Sequence, residues 1–150
     1  MGIADDAVEV RAQGWRTLAA LHASLENALE RALTRDAGLS VVEYTVLDAL
    51  SRQDGWHMRM AQLARAAALS ASAATRLVNR LEDRGLLTRV LCQDDRRGIY
   101  TELTDEGRRS LEAARPVHDQ ALVRALATAA DTPELAGLLE QLPDLRPALA

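Results

Sequence analysis

The sequence predicts a mainly α-helical fold with one small β-hairpin. Ala and Leu abound while Phe is absent, a composition that favours helix over strand. Apolar residues recur at steps of three and four along most of the chain, and the runs start and stop on capping signals. The period changes between Leu86 and Leu103, where two short strand-like runs flank a polar stretch.

The helices follow in order. Residues 8–35 read as one long helix in which Trp15, Leu18, His22, Leu25, Leu29 and Leu33 make an apolar stripe, and Asp36-Ala37-Gly38 supplies the stop. Ser40-Val41-Val42-Glu43 has the spacing of a capping box, with Leu39 and Tyr44 placed as a hydrophobic staple. Val46, Leu47 and Leu50 continue that second helix to a turn at Asp54-Gly55. A short third helix spans about Met60 to Ala67, with Leu63 and Ala64 inward. After the turn Ala68-Leu69, Ser70 is a good N-cap for a fourth helix from Ala71 to Arg84. Ala74, Leu77, Val78 and Leu81 form its inner stripe, and Gly85 its left-handed stop. Leu86–Cys92 and Ile99–Leu103 are the strands, joined by Gln93-Asp94-Asp95-Arg96-Arg97-Gly98. Thr104 with Asp105 and Glu106 opens a fifth helix that turns Leu111, His118, Leu122, Ala125 and Leu126 inward, and Pro116 is expected to kink it. Thr132-Pro133-Glu134 begins a last short helix carrying Leu135, Leu138, Leu139 and Leu142 on one side.

Composition narrows the class. The chain has 150 residues, 48% apolar and 27% charged, as expected of one globular domain with its own core. No run is apolar and long enough to span a membrane. The start, MGIADD, lacks the pattern of a signal peptide, and Asp6 stands where a myristoylation signal needs Ser or Thr. A single Cys suits a reducing compartment, so a cytoplasmic protein is expected. His22, His57, His118 and Cys92 show no metal-ligand spacing. No nucleophile motif, phosphate loop or carboxylate pair points to an enzyme, and nothing calls for a cofactor.

Charge distribution says more than net charge. The total is −4, yet residues 59–109 hold ten Arg against seven acids, a balance of +3, and the rest carries −7. A basic middle between acidic flanks fits one surface for nucleic acid on a soluble body. Every basic side chain apart from His is Arg, whose planar fork suits phosphate and guanine.

Helix, tight turn, helix and a hairpin with a basic tip form a winged helix-turn-helix. Its second helix leaves Ser72, Thr75, Arg76, Asn79 and Arg80 outward. A helix fits the major groove, where short polar side chains and Arg reach base edges. Ser72, Thr75 and Arg76 are the base-edge candidates, Asn79 and Arg80 the phosphate candidates. Arg84, at the helix end, is as well placed to stabilise the helix dipole. Arg96 or Arg97 at the hairpin tip would enter a neighbouring minor groove.

The segment from Leu39 to Gly107 resembles the MarR family of bacterial transcriptional regulators. The resemblance is most specific in TRLVNRLEDRGLLTR and in the wing pattern formed by Asp95, Arg97, Leu103, Thr104 and Gly107. It implies an obligate homodimer on double-stranded DNA, with the fourth helix in the major groove. Arg97 matches the wing Arg of the minor groove, and Asp95 the carboxylate that braces the wing. The DNA-binding set is thus Ser70, Ser72, Thr75, Arg76, Asn79, Arg80, Asp95, Arg96 and Arg97. The resemblance divides the single domain into a DNA-binding region over 37–106 and dimerisation helices at 5–35 and 107–150. It also implies release by a small aromatic or anionic effector, for which Trp15, His22 and Tyr44 are the candidate lining. The ordinary role of those three, and of Trp56, is core packing.

Three departures from the family pattern stand out. Arg59 occupies a capping position, which predicts a looser start to the third helix. Ala68 replaces a turn Gly, so the turn must avoid a left-handed conformation or bear strain. The first helix lacks the reactive Cys of hydroperoxide sensors. Two alternatives to a constitutive or ligand-released regulator are a redox switch at Cys92 and a winged-helix module that binds protein. Cys92 is more simply an inert, partly buried residue, and the polar, basic outer face disfavours a protein-binding module.

Overall fold

A computed structural model of the chain describes residues 3–91 and 98–145. The elements are α1 (Ile3–Ala37), α2 (Val41–Ser51), β1 (His57–Arg59), α3 (Met60–Ala66), α4 (Ala71–Asp83), β2 (Leu87–Leu91), β3 (Ile99–Leu103), α5 (Asp105–Ala130) and α6 (Pro133–Glu140). Short 3₁₀ turns lie at Asp54–Trp56 and Pro143–Leu145. These elements gather into two compact units, residues 33–91 with 98–117 and residues 3–32 with 118–145. Among the described residues no helix is long and apolar enough to cross a membrane.

The first unit is built around the inner stripes of its helices. Val46, Leu47 and Leu50 of α2, Leu63 of α3, and Leu77, Val78 and Leu81 of α4 are closed off from solvent. They pack with Leu33, Leu39, Leu87, Leu103 and Leu111 in one cluster. Each such side chain contributes about 1.5–3 kcal/mol by leaving water, so these contacts hold α4 with its opposite face outward.

Capping sets where the helices begin. Ser40 Oγ accepts from the Glu43 amide at 3.1 Å, and Glu43 Oε2 accepts from the Ser40 amide at 2.9 Å, closing the expected box. Ser70 Oγ accepts from the Ala73 amide at 3.2 Å at the start of α4. At α3 only half of such a box forms, with Gln62 Oε1 accepting from the Arg59 amide at 3.0 Å. Arginine has no acceptor to return, so its guanidinium turns to the Tyr100 hydroxyl at 3.1 Å.

The ends of α3 and α4 share one geometry. The Leu69 amide donates to Ala64 and the Ala68 amide to Arg65, while the Leu86 amide donates to Leu81 and the Gly85 amide to Glu82. This pair of bonds needs a left-handed residue at its centre. Gly85 provides it at φ 73° and Ala68 at φ 53°, so the turn before α4 takes the strained alternative.

The sheet is antiparallel in the order β1-β3-β2. The hairpin pairs Leu87 with Leu103 and Leu91 with Ile99. It starts one residue later than expected, because the Leu86 amide closes the turn after α4. Strand β1 was not expected. It has three residues with only Met58 inward, too few for a period to show. Its pairing with β3 is reinforced by His57 against Tyr100, ring centroids 4.9 Å apart, and by Arg59 over the same ring.

The second unit packs Leu21 of α1 against Leu126 and Ala129 of α5 and Leu135 and Leu139 of α6. This corrects the stripe read along α1. Leu29 and Leu33 are buried as expected, but Trp15 is 67% exposed and Leu18 46%. The apolar face of α1 is wider than α5 and α6 cover, and the covered part is shifted toward Leu21. Val8, Val10 and Val123 are exposed in the same unit.

Candidate nucleic-acid interface

The outer face of α4 is polar along its whole length. Ser72, Thr75, Arg76, Asn79 and Arg80 are all exposed, opposite the buried stripe of Ala74, Leu77, Val78 and Leu81. The 3.6-residue period makes that division. The structure therefore brings these five predicted residues together on one surface, with Ser70 at its start.

Their side chains are not equally available. Ser70 Oγ is occupied by the Ala73 amide and lies 3.3 Å from Ser72 Oγ. Thr75 donates its hydroxyl to the Ala71 carbonyl at 3.0 Å, which leaves its oxygen lone pairs to accept. Arg76 and Arg80 flank a shallow hollow lined also by Val42, Leu69, Ala73 and Leu77. Among the described residues neither has an ion-pair partner, so both guanidinium groups are open to an anion.

The neighbouring arginines are engaged. Arg84 donates to Glu43 Oε2 at 3.0 Å and to the Gly38 carbonyl at 2.8 Å. Its role is thus to tie the end of α4 to the start of α2, through the same carboxylate that closes the α2 capping box. Arg89 on β2 donates to Glu82 Oε2 at 2.5 Å and to Asn79 Oδ1. From sequence, Glu82 and Asp83 stand near Arg76, Arg80 and Arg84 as weak ion-pair partners along the helix. The structure pairs Glu82 with Arg89 instead, and the link from Arg89 to Asn79 was not expected. The only local signal was an acid and a base facing each other across the Gly85 turn.

A second cluster fixes α5 to α2. Arg115 pairs with Asp48 at 2.8 Å and donates to Ser51 Oγ at 2.8 Å. Asp48 also receives Arg52 at 2.8 Å, and this hydrogen bond raises the Arg52 pKa above its ordinary value. The hydrogen bond from Arg35 holds the Asp36 carboxyl below the usual carboxylate range.

The wing residues Asp95, Arg96 and Arg97, and Cys92, lie outside the described residues. What is described is the base of the hairpin, whose register sets Leu91 opposite Ile99. The three candidate effector residues are distributed between the units. Trp15 and His22 line an open hollow on α1 with Leu18 and Ala19, and His22 faces Glu26 at 3.3 Å. Tyr44 is 7% exposed, within the core of the first unit. No group of His, Cys, Asp and Glu among the described residues could hold a metal ion.

The comparisons agree with this geometry. A family model described as the MarR family matches residues 37–98. Sco3205, a MarR family transcriptional regulator from Streptomyces coelicolor solved in complex with DNA, is 34% identical. The match covers 87% of this chain and 81% of Sco3205, with a TM-score of 0.73. The chain belongs to the MarR family. This MarR-family chain also resembles CouR from Rhodococcus jostii RHA1, solved bound to p-coumaroyl-CoA, at 29% identity and a TM-score of 0.68. That match covers 89% of this chain and 92% of CouR. YkoM of Bacillus subtilis (strain 168), an uncharacterized HTH-type transcriptional regulator, is 27% identical over 94 residues. Those residues are 63% of this MarR-family chain and 60% of YkoM, less than two thirds of its length.

Proposed function

We propose that this MarR-family chain is a cytoplasmic, homodimeric repressor that binds double-stranded DNA at a pseudo-palindromic operator. One observation carries the reading. Arg76 and Arg80 stand on the exposed polar face of α4 without ion-pair partners among the described residues, while Arg84 and Arg89 beside them are committed within the fold. Unpaired guanidinium groups on a well-anchored helix are suited to a groove lined with phosphates. Ser72, Thr75 and Arg76 contact base edges, Asn79 and Arg80 contact phosphates, and Ser70 orders the helix start. Arg97 enters the minor groove, with Asp95 bracing the wing and Arg96 beside it. That Sco3205 was solved with DNA supports the partner.

Dimerisation is supported by the apolar side chains that the terminal helices leave open, Val8, Val10, Trp15, Leu18 and Val123, because a second copy would remove them from water. A small aromatic or anionic effector is supported by CouR and its bound ligand, with Trp15, His22 and Tyr44 as the residues to examine. The test is selection of genomic fragments by the purified chain, followed by sequencing. An inverted repeat with half-sites about one helical turn apart is the expected product. Recovery of no enriched duplex at low salt would remove the DNA-binding reading in favour of a protein-binding module.

A further inference from the structure

Asn79 is exposed on the outer face of α4, yet its side chain is not free to turn. Arg89 reaches across from β2 and donates to it, and the other arm of the same guanidinium is held by Glu82 at 2.5 Å. Glu82 and Asn79 both lie on α4, three residues apart, so one β2 side chain spans neighbouring positions on adjacent turns of the helix. Arg89 and Glu82 are about one-third exposed, at 33% and 34%, while Asn79 is exposed.

The chemistry of the partner decides which way the amide faces. A guanidinium has five N–H donors and no acceptor. The atom of Asn79 turned toward it must therefore be the carbonyl oxygen, and the NH2 group is turned away. A freely rotating Asn offers either a donor or an acceptor. It could also grip adenine through both, its oxygen accepting from N6 and its NH2 donating to N7. With the oxygen engaged by Arg89, Asn79 presents donors and suits acceptors such as phosphate oxygens.

We propose that Arg89, braced by Glu82, is a positioning residue that fixes Asn79 as a hydrogen-bond donor to the DNA backbone. The inference rests on the reading of α4 as the helix that contacts DNA. Arg89 acts through Asn79 and needs no contact of its own with the duplex. The order of the parts is a carboxylate, a guanidinium, an amide and a phosphate, each hydrogen-bonded to the next.

The test is a double-mutant cycle on the full-length chain. Affinity is measured by fluorescence anisotropy for a duplex selected from a random pool by the wild-type chain and for a shuffled duplex of equal length. Asn79→Ala is expected to weaken binding about tenfold to a hundredfold, the range of a single hydrogen bond to a charged group. Arg89→Gln is expected to weaken it to a similar extent, and the double variant no further than Asn79→Ala alone. Arg89→Lys, which keeps one donor to the amide, should recover part of the loss. A loss of similar size on both duplexes is the mark of a phosphate contact. Thermal melts accompany each variant. If Arg89→Gln unfolds because Glu82 loses its partner, the cycle is repeated with Glu82→Gln and Arg89→Gln together, which leaves no unpaired acid.

Losses that multiply in the double variant would overturn the proposal, since Arg89 would then act independently of Asn79. So would unchanged affinity in Asn79→Ala, or a loss confined to the selected duplex. Absence of wild-type binding to either duplex at low salt would instead overturn the DNA reading, and this inference with it.

Discussion

Gly107 lies directly beneath the backbone of Leu86. A Cβ at position 107 would stand 2.1 Å from the Leu86 carbonyl oxygen and 2.7 Å from Leu103 Cδ1. Thr104 completes the junction by accepting from the Gly107 amide at 3.0 Å and donating to the Gly85 carbonyl at 2.6 Å. The Leu-Thr-x-x-Gly part of the wing pattern is thus a packing device. It seats the first turn of α5 against the turn that follows α4.

Replacing Gly107 by Ala should destabilise the chain by about 3 kcal/mol. The obstructing atom is backbone and cannot rotate aside, and overpacking of that kind forces the chain to shift. Urea denaturation followed by circular dichroism measures the change. A loss below about 0.5 kcal/mol would show that α5 can slide without penalty.

Ala68→Gly should act in the opposite direction. At φ 53° an L-residue is strained by about 1–2 kcal/mol relative to the right-handed region, while glycine is not. Glycine also has more backbone freedom to lose on folding, which offsets about 0.5–1 kcal/mol. A net gain of about 0.5–1 kcal/mol is expected in the same denaturation experiment, with DNA affinity retained. A loss of stability would mean that the alanine methyl makes contacts outweighing its strain.

The arginines of α4 should separate by salt dependence. Arg80→Ala should lower the slope of log affinity against log salt by about one, as loss of one phosphate contact requires. Arg84→Ala should leave the slope unchanged and lower stability by about 1 kcal/mol, because its guanidinium is spent on Glu43 and Gly38. Equal slopes in the Arg80 variant and the wild type would remove Arg80 from the interface.

Trp15→Glu tests assembly. Placing a charge where a 67% exposed indole now stands leaves a lone chain comfortable but opposes burial against a second copy. Sedimentation should show the wild type as a dimer and the variant shifted toward monomer, with weaker operator binding through loss of the paired half-sites. A dimeric variant would place the interface elsewhere on the terminal helices.

Much of the candidate interface is legible in the sequence. The capping box at Ser40 and Glu43, the cap at Ser70 and the buried stripe from Ala74 to Leu81 are relations between residues within one or two turns of each other. Hydrogen bonding and helical period act over that range. Strand β1 escaped because three residues carry no period and its partner β3 lies more than 40 positions away. The split in the α1 stripe escaped because periodicity reports which residues share a face and says nothing about how much of that face the chain covers.

Amino-acid order alone determined the succession of helices, the hairpin, and the polar side of α4, because each of these is settled by neighbours along the chain. Three-dimensional packing decided which arginines are spent and which are open. Arg84 meets an acid 41 residues away, and Arg89 reaches back across the turn to Glu82 and Asn79. A charge in a sequence has no partner until folding brings one within hydrogen-bond reach, and that distance depends on every element in between.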